Sequence, residues 1–249
     1  MATRRRGQLI DGVLLLDKPV GLSSNHALQR ARRTLDARKA GHTGTLDPFA
    51  TGLLVCCFGR ATKISATMLE ADKAYEATVA FGTETDSGDL TGNVVAQATD
   101  FTGVSPDALE AVLPAFRGPI SQVPPMYSAL KRDGKPLYEY ARQGIELERE
   151  ARQVVIRELN VLECTPHFAR LYVRCSKGTY IRTLAQDIGR ALGCYAHLSA
   201  LRRTELGPFH IDDAYGLEPL QAMEDPMSAL LAIESLPTEI LPKKLQSEG

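Results

Sequence analysis

Residues 41–52 combine the residue types that most strongly suggest chemistry. They read Gly-His-Thr-Gly-Thr-Leu-Asp-Pro-Phe-Ala-Thr-Gly, with Asp47 as the single acid. Glycine lets the backbone turn tightly or approach another molecule, and Pro48 biases Asp47 toward an extended conformation. An acid fixed in this way in a glycine-rich loop is a candidate for chemistry. The alternative is that Asp47 caps a helix and Pro48 is its first residue.

Three other residues are candidate partners for this acid, although each has an ordinary interpretation. Tyr75 stands at the start of a predicted strand, where tyrosine usually packs half-buried. Tyr180 and Arg182 stand at the start of a predicted helix after a glycine turn, and an arginine there is usually a surface residue or an ion-pair residue. His42 has the ordinary interpretation of a loop residue.

Composition bounds the class of protein. The chain has 249 residues, of which 44% are hydrophobic, so we expect one large domain or one domain with an insertion. No apolar run approaches the roughly 18 residues of a membrane span, and we expect a cytoplasmic protein. Five cysteines and five histidines show no metal-ligand spacing. Nucleotide-binding fingerprints are also missing, so we expect neither a metal nor an organic cofactor.

The net charge of -1 hides an asymmetry along the chain. Residues 1–40 hold nine Lys or Arg and three Asp or Glu, a net of +6, whereas residues 205–249 hold two Lys and nine acids, a net of -7. The basic segment is compatible with a phosphate-bearing partner. An unevenly charged solvated surface is the equally weighted alternative.

Periodicity predicts strands and helices in irregular alternation, with several strands in direct succession. This order favours an α+β fold with a mixed, mostly antiparallel central sheet flanked by helices. Residues 82–92 are interpreted as a loop with a polar surface, and 119–149 as an insertion with a short helix near 137–143. A last short helix is expected near 227–233. The main predicted strands are 12–16, 53–58, 74–81, 152–164, 168–175 and 198–206, and the main helices are 23–38, 60–70, 105–116 and 180–192.

The stretch 41–52 is followed by two leucines at 53 and 54. Together, residues 41–54 resemble the signature of the TruB family. This family comprises the tRNA pseudouridine synthases that act on uridine 55 of the TΨC loop. Further blocks match in the same order over nearly all of residues 12–206, and the resemblance implies the pseudouridine synthase fold and no cofactor. The blocks are 15–24 (Leu-Leu-Asp-Lys-Pro-Val-Gly-Leu-Ser-Ser), 59–63 (Gly-Arg-Ala-Thr-Lys), 73–75 (Lys-Ala-Tyr), 122–131 (Gln-Val-Pro-Pro-Met-Tyr-Ser-Ala-Leu-Lys), 177–184 (Lys-Gly-Thr-Tyr-Ile-Arg-Thr-Leu) and 201–204 (Leu-Arg-Arg-Thr).

The resemblance also implies roles for three catalytic residues. Asp47 matches the family aspartate, and the resemblance leaves open whether it adds to the base, adds to the sugar or promotes elimination. Arg182 matches the arginine that pairs with that aspartate and holds it ionised. Tyr75 matches the tyrosine that stacks on the flipped base and helps to remove the C5 proton.

Five other residues match positions that the family uses to bind RNA or shape its pocket. Leu201 matches an apolar pocket residue, and His42 matches the residue that fills the space left by the base. Lys18, Lys63 and Tyr180 are weaker matches, as supports of the site or RNA contacts. The 119–149 insertion matches the family's mobile RNA-clasping segment.

The resemblance suggests a domain layout as well. We expect a catalytic domain over residues 1–215 and an acidic C-terminal tail over 216–249, with the PUA-type domain of many bacterial members absent. The expected partner is the T stem-loop of tRNA, and we expect a monomer. Two alternatives remain open: a guide-dependent synthase for ribosomal RNA, and a non-catalytic RNA-binding or RNA-folding protein.

Overall fold

The computed structural model describes residues 7–243, so residues 1–6 and 244–249 of the expected catalytic domain and tail lie outside the described residues. The described chain forms two compact units. One is Tyr75–Leu201, and the other comprises the residues on either side, 7–74 and 202–243. No helix within 7–243 combines the length and apolar character needed to cross a membrane.

Fourteen strands occur in the described part of the chain. They are β1 (Gly12–Lys18), β2 (Ala40–Thr43), β3 (Thr51–Phe58), β4 (Lys73–Phe81), β5 (Thr83–Thr85), β6 (Val94–Gln97), β7 (Gly118–Gln122), β8 (Lys131–Arg132), β9 (Lys135–Pro136), β10 (Arg152–Cys164), β11 (Phe168–Cys175), β12 (Ala196–Leu206), β13 (Phe209–His210) and β14 (Tyr215–Gly216).

Six α-helices and six 3-10 helices accompany these strands in residues 7–243. The α-helices are α1 (Ser24–Thr34), α2 (Ser65–Glu70), α3 (Pro106–Val112), α4 (Leu137–Ala141), α5 (Ile181–Ala191) and α6 (Leu217–Ala222). The 3-10 helices are Gly59–Ile64, Leu113–Phe116, Ile211–Asp213, Pro226–Ala229, Ile233–Ser235 and Thr238–Ile240.

In the first unit, β3 is the strand around which the others are arranged. It pairs antiparallel with β1 and β2 and parallel with β12, while β14 pairs parallel with β1. Alternate side chains of β1 and β3 enter two apolar clusters, one shared with α1 and α6 and one shared with the 3-10 helix Gly59–Ile64 and α2. Because both faces are covered, these strands are continuous apolar runs instead of alternating ones.

In the second unit, β10 pairs antiparallel with both β11 and β7, and β4 neighbours β11. Helix α5 packs through Ile181, Leu184 and Ile188, as its periodicity predicted, but Ala191 at its last turn is exposed. Gly193 follows with a φ of 71°, the left-handed conformation that ends helices. The expected mixed, mostly antiparallel sheet with flanking helices is confirmed.

Two predicted segments of the second unit, 82–92 and 119–149, differ from their prediction to different degrees. The 82–92 segment is not a polar surface loop, because it contains β5 and buries the side chains of Glu84 and Asp89. The predicted insertion begins inside β7, which pairs with β10, so its first residues belong to the sheet. The short helix expected near 137–143 is α4.

The acidic C-terminal segment contributes to the core of the first unit. Leu217 and Leu220 of α6 pack with α1, and Ile233 and Ile240 join the cluster on the opposite face of β1 and β3. The short helix expected near 227–233 is wrong, because this stretch holds the separate 3-10 turn Pro226–Ala229 and the start of another. The prolines around these residues interrupt any longer helix.

Leu220 offers a test of this packing. Its side chain is fully buried, so Leu220→Ala should lower the free energy of unfolding by about 2–5 kcal/mol. Chemical denaturation of the two proteins measures the difference. Met227→Ala is the matched control, because that side chain is exposed and its removal should change little. Equal stability of wild type and Leu220→Ala would mean that the segment does not pack on the first unit.

Candidate active site

Asp47 lies in the connection between β2 and β3 and does not cap a helix. Its carbonyl accepts a hydrogen bond from the Ala50 amide at 3.1 Å, which closes a turn with Pro48 at the second position. Strand β3 begins immediately afterwards at Thr51. The helix-capping alternative is therefore wrong, since an Asp-Pro pair suits this turn as well as a helix start.

The residue before Asp47 is fixed by a buried serine. The Ser24 hydroxyl accepts a hydrogen bond from the Leu46 amide at 2.8 Å and donates one to the Leu46 carbonyl at 2.9 Å. Ser24 is the first residue of α1, whose N-cap is Ser23. Leu46 is itself buried, so a helix twenty-two residues earlier sets the position of the peptide that leads into Asp47.

The residue after Asp47 is fixed by a buried lysine. Lys18 Nζ donates to the carbonyls of Pro19 at 2.9 Å and Leu22 at 2.7 Å, and it lies 3.5 Å from the Pro48 carbonyl. The Gly21 amide also donates to the Pro48 carbonyl at 2.7 Å. Asp47 is therefore held between two anchored residues, while its side chain stays partly exposed.

The side chain of Lys18 is fully buried, which is unusual for a residue that carries a charge. Burial lowers the pKa of its ammonium group to about 8, the Asp47 carboxylate opposes this change, and the Arg203 guanidinium adds to it. Below pH 8 the ammonium group is charged beside Asp47. Lys18 was expected only as a weak match, and the structure shows it as a backbone anchor of the loop that carries the acid.

Arg203 is a second buried cation at this loop and was not among the expected site residues. Its Nε donates to the Leu53 carbonyl at 2.7 Å and its Nη2 to the Gly44 carbonyl at 3.0 Å. Gly52 has a φ of 100°, and a Cβ there would lie 2.3 Å from the Arg203 carbonyl oxygen. The glycine at position 52 is therefore required for β3 and β12 to meet. In the sequence, the only indication that Arg203 belongs to the site was its position in the matched block 201–204.

His42 lies on β2, just before the loop that carries Asp47. Burial and the Arg203 charge lower the pKa of its imidazole, so the ring is neutral at pH 7. Its Nδ1 is buried and has no hydrogen-bond partner in the described structure. Lys63, by contrast, is an exposed residue of the 3-10 helix Gly59–Ile64. The structure thus places Lys18, on β1, and His42, on β2, next to the loop that carries Asp47, and leaves Lys63 exposed.

In the second unit, Arg182 is buried at the start of α5. Its guanidinium donates to the Ser87 carbonyl at 2.9 Å and to the Tyr127 carbonyl at 2.7 Å, and lies 3.8 Å from a carboxylate oxygen of Asp89. The ordinary interpretation of Arg182 as a surface residue is wrong, because its side chain is buried, whereas the ion pair that this interpretation also allowed is present with Asp89. A planar guanidinium held at several points has a fixed orientation.

Asp89 is a buried acid that sequence reasoning missed. Its Oδ1 accepts hydrogen bonds from the Ser87 hydroxyl and the Thr91 amide, each at 2.9 Å. The Ser-Gly-Asp-Leu-Thr spacing was the available signal, because Ser, Asp and Thr at such intervals bond to nearby backbone and to one another. Its carboxylate faces Arg182 within the same unit.

Tyr180 holds the N-cap position of α5. The buried side chain of Gln122, at the end of β7, accepts from the Tyr180 amide at 3.1 Å and donates to the Tyr180 carbonyl at 3.3 Å. Gln122 was recognised only as part of a matched block. Tyr75 on β4 and Leu201 on β12 are both largely buried, at 9% and 8% exposure.

The described residues 7–243 contain no group of three or more His, Cys, Asp or Glu side chains placed to hold a metal ion. Taken one unit at a time, the charged groups described above are those of Lys18, Asp47 and Arg203 in the first unit. In the second unit they are those of Asp89 and Arg182.

Two family models match the chain. The model of the TruB family pseudouridylate synthase N-terminal domain matches residues 32–181, and the model of the tRNA pseudouridylate synthase B C-terminal domain matches residues 182–240. The two matches are contiguous, and each includes residues of both described units.

Similar proteins are named tRNA pseudouridine synthase B. The protein from Bordetella avium (strain 197N) is 71% identical over 240 residues, which make up 96% of this chain and 98% of that protein. The protein from Bordetella pertussis (strain Tohama I) is 70% identical over the same shares. The protein from Azoarcus sp. (strain BH72) is 59% identical over 90% of this chain and 77% of that protein.

Solved structures show the same fold in larger chains. A Cbf5-Nop10-Gar1 complex contains a chain with a TM-score of 0.70 and 30% identity, matched over 90% of this chain and 60% of that chain. An H/ACA RNP bound to a substrate RNA containing 2'-deoxyuridine gives a TM-score of 0.66 and 27% identity. There the match covers 89% of this chain and 58% of that chain.

The buried Lys18 ammonium gives a prediction about stability. Lys18→Met should lower the melting temperature by several degrees, because the three carbonyls lose their donor. The folded-state pKa of about 8 lies below the ordinary 10.5, so the unfolded chain binds more protons between these values. The unfolding free energy of wild type relative to Lys18→Met should therefore rise from pH 8 to 10.5. A constant difference would contradict the burial of a charged amine.

Proposed function

Because the chain belongs to the TruB family of pseudouridylate synthases, we propose that it converts uridine 55 in the T stem-loop of tRNA to pseudouridine. The chain is a tRNA pseudouridine synthase, an isomerase, as its relatives over nearly its whole length are. The position in tRNA and the residues that act on it are the proposed part. We propose that the enzyme acts in the cytoplasm, where its tRNA substrate would be met, and that it acts as a monomer.

The reaction sets the requirements for the site. The bond between N1 of uracil and C1′ of ribose breaks, the base rotates, and a bond forms between C5 and C1′. The proton on C5 leaves and N1 gains one, so the reaction needs no outside oxidant or reductant. A base inside a folded RNA loop must first leave its stack, and the enzyme must hold it flipped out.

The observation that carries the proposal is the anchoring of Asp47. Its neighbours Leu46 and Pro48 are fixed by Ser24 and Lys18, while Asp47 itself is only partly buried. A nucleophile or charge stabiliser needs this combination of fixed backbone and open side chain. We assign Asp47 to the breaking and remaking of the glycosidic bond.

The second unit supplies the other two proposed catalytic residues, Tyr75 and Arg182, and the proposed pocket residue Leu201. Tyr75 stacks on the flipped base and assists removal of the C5 proton, and Leu201 provides apolar surface to the base. Arg182 supports the charge of the reacting carboxylate, as its family position implies. Its hydrogen bonds to two backbone carbonyls within the second unit support this role, because they fix the guanidinium before substrate binds.

The other matched residues contact RNA or support the site in this proposal. A neutral His42 ring is suited to the space that the flipped base leaves, because no charge has to be desolvated among stacked bases. Lys63 is exposed and available to a phosphate. Lys18 and Tyr180 act as supports, since their contacts are to backbone.

The domain layout also remains a proposal. We assign catalysis to residues 1–215, with RNA clasped by the 119–149 insertion, and assign residues 216–249 to an acidic C-terminal segment. The packing of Leu217 and Leu220 against α1 gives this segment a structural part in the first unit.

Asp47→Asn tests the proposed catalyst. We expect it to abolish release of tritium from C5-labelled uridine in an unmodified T stem-loop, supplied without guide RNA, while the Kd for that RNA changes less than about threefold. Asp36→Asn is the control, because this exposed acid of the same unit should be dispensable. Equal loss of binding and turnover in Asp47→Asn would make the residue structural. If the wild-type protein is active only when a guide RNA is added, the guide-dependent alternative would be supported.

The basic face of α1 predicts a salt dependence of RNA binding. Arg30 and Arg33 are exposed on this helix, and we propose that they contact phosphates. Arg30→Gln with Arg33→Gln should reduce the slope of log Kd against log salt by about 0.7–0.9 for each phosphate that the double variant no longer binds. Arg170→Gln is the control, because Arg170 is paired with Glu76 at 3.0 Å. An unchanged slope in the double variant would remove α1 from the RNA surface.

A further inference from the structure

Gly41, in the middle of β2, is a glycine that the described fold does not require. Its φ lies outside the left-handed range that favours glycine. A Cβ built at this position would have Thr62 Cγ2 as its nearest neighbour, at 3.8 Å, which is an ordinary van der Waals distance. Alanine would therefore fit here without strain or overlap.

Gly41 differs in this respect from the other glycines with ordinary φ in residues 7–243. A Cβ would lie 2.4 Å from its nearest neighbour at Gly92, 2.3 Å at Gly189 and 3.2 Å at Gly216. Packing within the fold accounts for those three. A glycine inside a strand costs conformational entropy, and it often marks a place where another molecule comes close to the backbone.

Two exposed lysines adjoin this part of the strand, one next to β2 in the sequence and one on the neighbouring 3-10 helix. Lys39 immediately precedes β2, and Lys63 follows Thr62 on the neighbouring 3-10 helix; both are exposed. Arg60 is paired with Asp11 at 2.6 Å. Burial raises the pKa of the Asp11 carboxyl, but hydrogen bonds from Arg60 and the charges of Arg60 and Lys39 lower it overall, so this acid offsets part of the positive charge here. The next residue along β2 is His42, whose Nδ1 is buried without a partner in the described structure. An anionic chain is the kind of molecule that suits this surface.

We propose that the lack of a side chain at Gly41 lets a phosphodiester group of the tRNA lie directly against the backbone of β2, between Lys39 and Lys63. This contact rests on the proposed function and extends it to a positioning role. Phosphate contacts set the register of a protein on RNA. A phosphate fixed at Gly41 would set the nucleotide that reaches His42, one residue further along.

The first test is a double-mutant cycle on tRNA binding. Gly41→Ala should raise the Kd by about tenfold, while its melting temperature stays unchanged or rises slightly. In a Lys63→Ala background the same change should have a smaller effect, because the displaced phosphate already lacks that partner. Unchanged binding by Gly41→Ala would overturn the proposal, and so would a melting temperature lowered by several degrees.

The second test does not depend on how alanine is tolerated. Gly41→Cys, made together with Cys164→Ser because Cys164 is the partly exposed native thiol of the described chain, should react with maleimide. Saturating tRNA should slow this reaction at least about tenfold. Ala222→Cys, exposed on the acidic α6, is the matched control and should react equally with and without tRNA.

The outcomes separate this inference from the proposed function. Unprotected Gly41→Cys in an enzyme that still modifies the T stem-loop would overturn the phosphate contact alone. Absence of T-loop activity in wild type would overturn the proposed function itself. Protection of both introduced cysteines would indicate non-specific coating by RNA and would also overturn the contact at Gly41.

Discussion

A buried cation must be surrounded by acceptors, and this requirement organises the first unit. Lys18 and Arg203 direct their donors at backbone carbonyls, and one carbonyl of each set belongs to the loop that carries Asp47. Charge-assisted hydrogen bonds of this kind are stronger than neutral ones. They hold an irregular loop that strand pairing does not reach. The result is a carboxylate on a fixed backbone whose side chain remains accessible.

The second unit uses the same principle with different groups. Gln122 binds both backbone groups of Tyr180, and Arg182 binds the carbonyls of Ser87 and Tyr127. Helix α5 thereby begins at a defined point, and its first buried arginine has a defined orientation. Side chains that satisfy backbone groups are costly to replace, since each replacement leaves a buried polar atom unpaired.

Charge is distributed in a way that fits an RNA-modifying isomerase. The acidic C-terminal segment contributes apolar side chains to the core, with Leu220 packed beside α1, whereas α1 presents Arg30 and Arg33 to solvent. The acidic segment thus stabilises the first unit through apolar contacts and leaves Arg30 and Arg33 exposed. RNA phosphates are attracted by such residues and repelled by acidic ones.

The amino-acid sequence by itself determined the main strands, the Ser-capped helices and the family, because apolar periodicity, capping and the matched motifs are local patterns. It could not decide whether Asp47 caps a helix or sits in a turn, since the same Asp-Pro pair serves both. That choice was made by Ser24 and Lys18, which are distant in the chain, and by Arg203, which is 159 residues from Gly44. Tertiary structure also decided the burial of Asp89, because only the fold brings Arg182 to it.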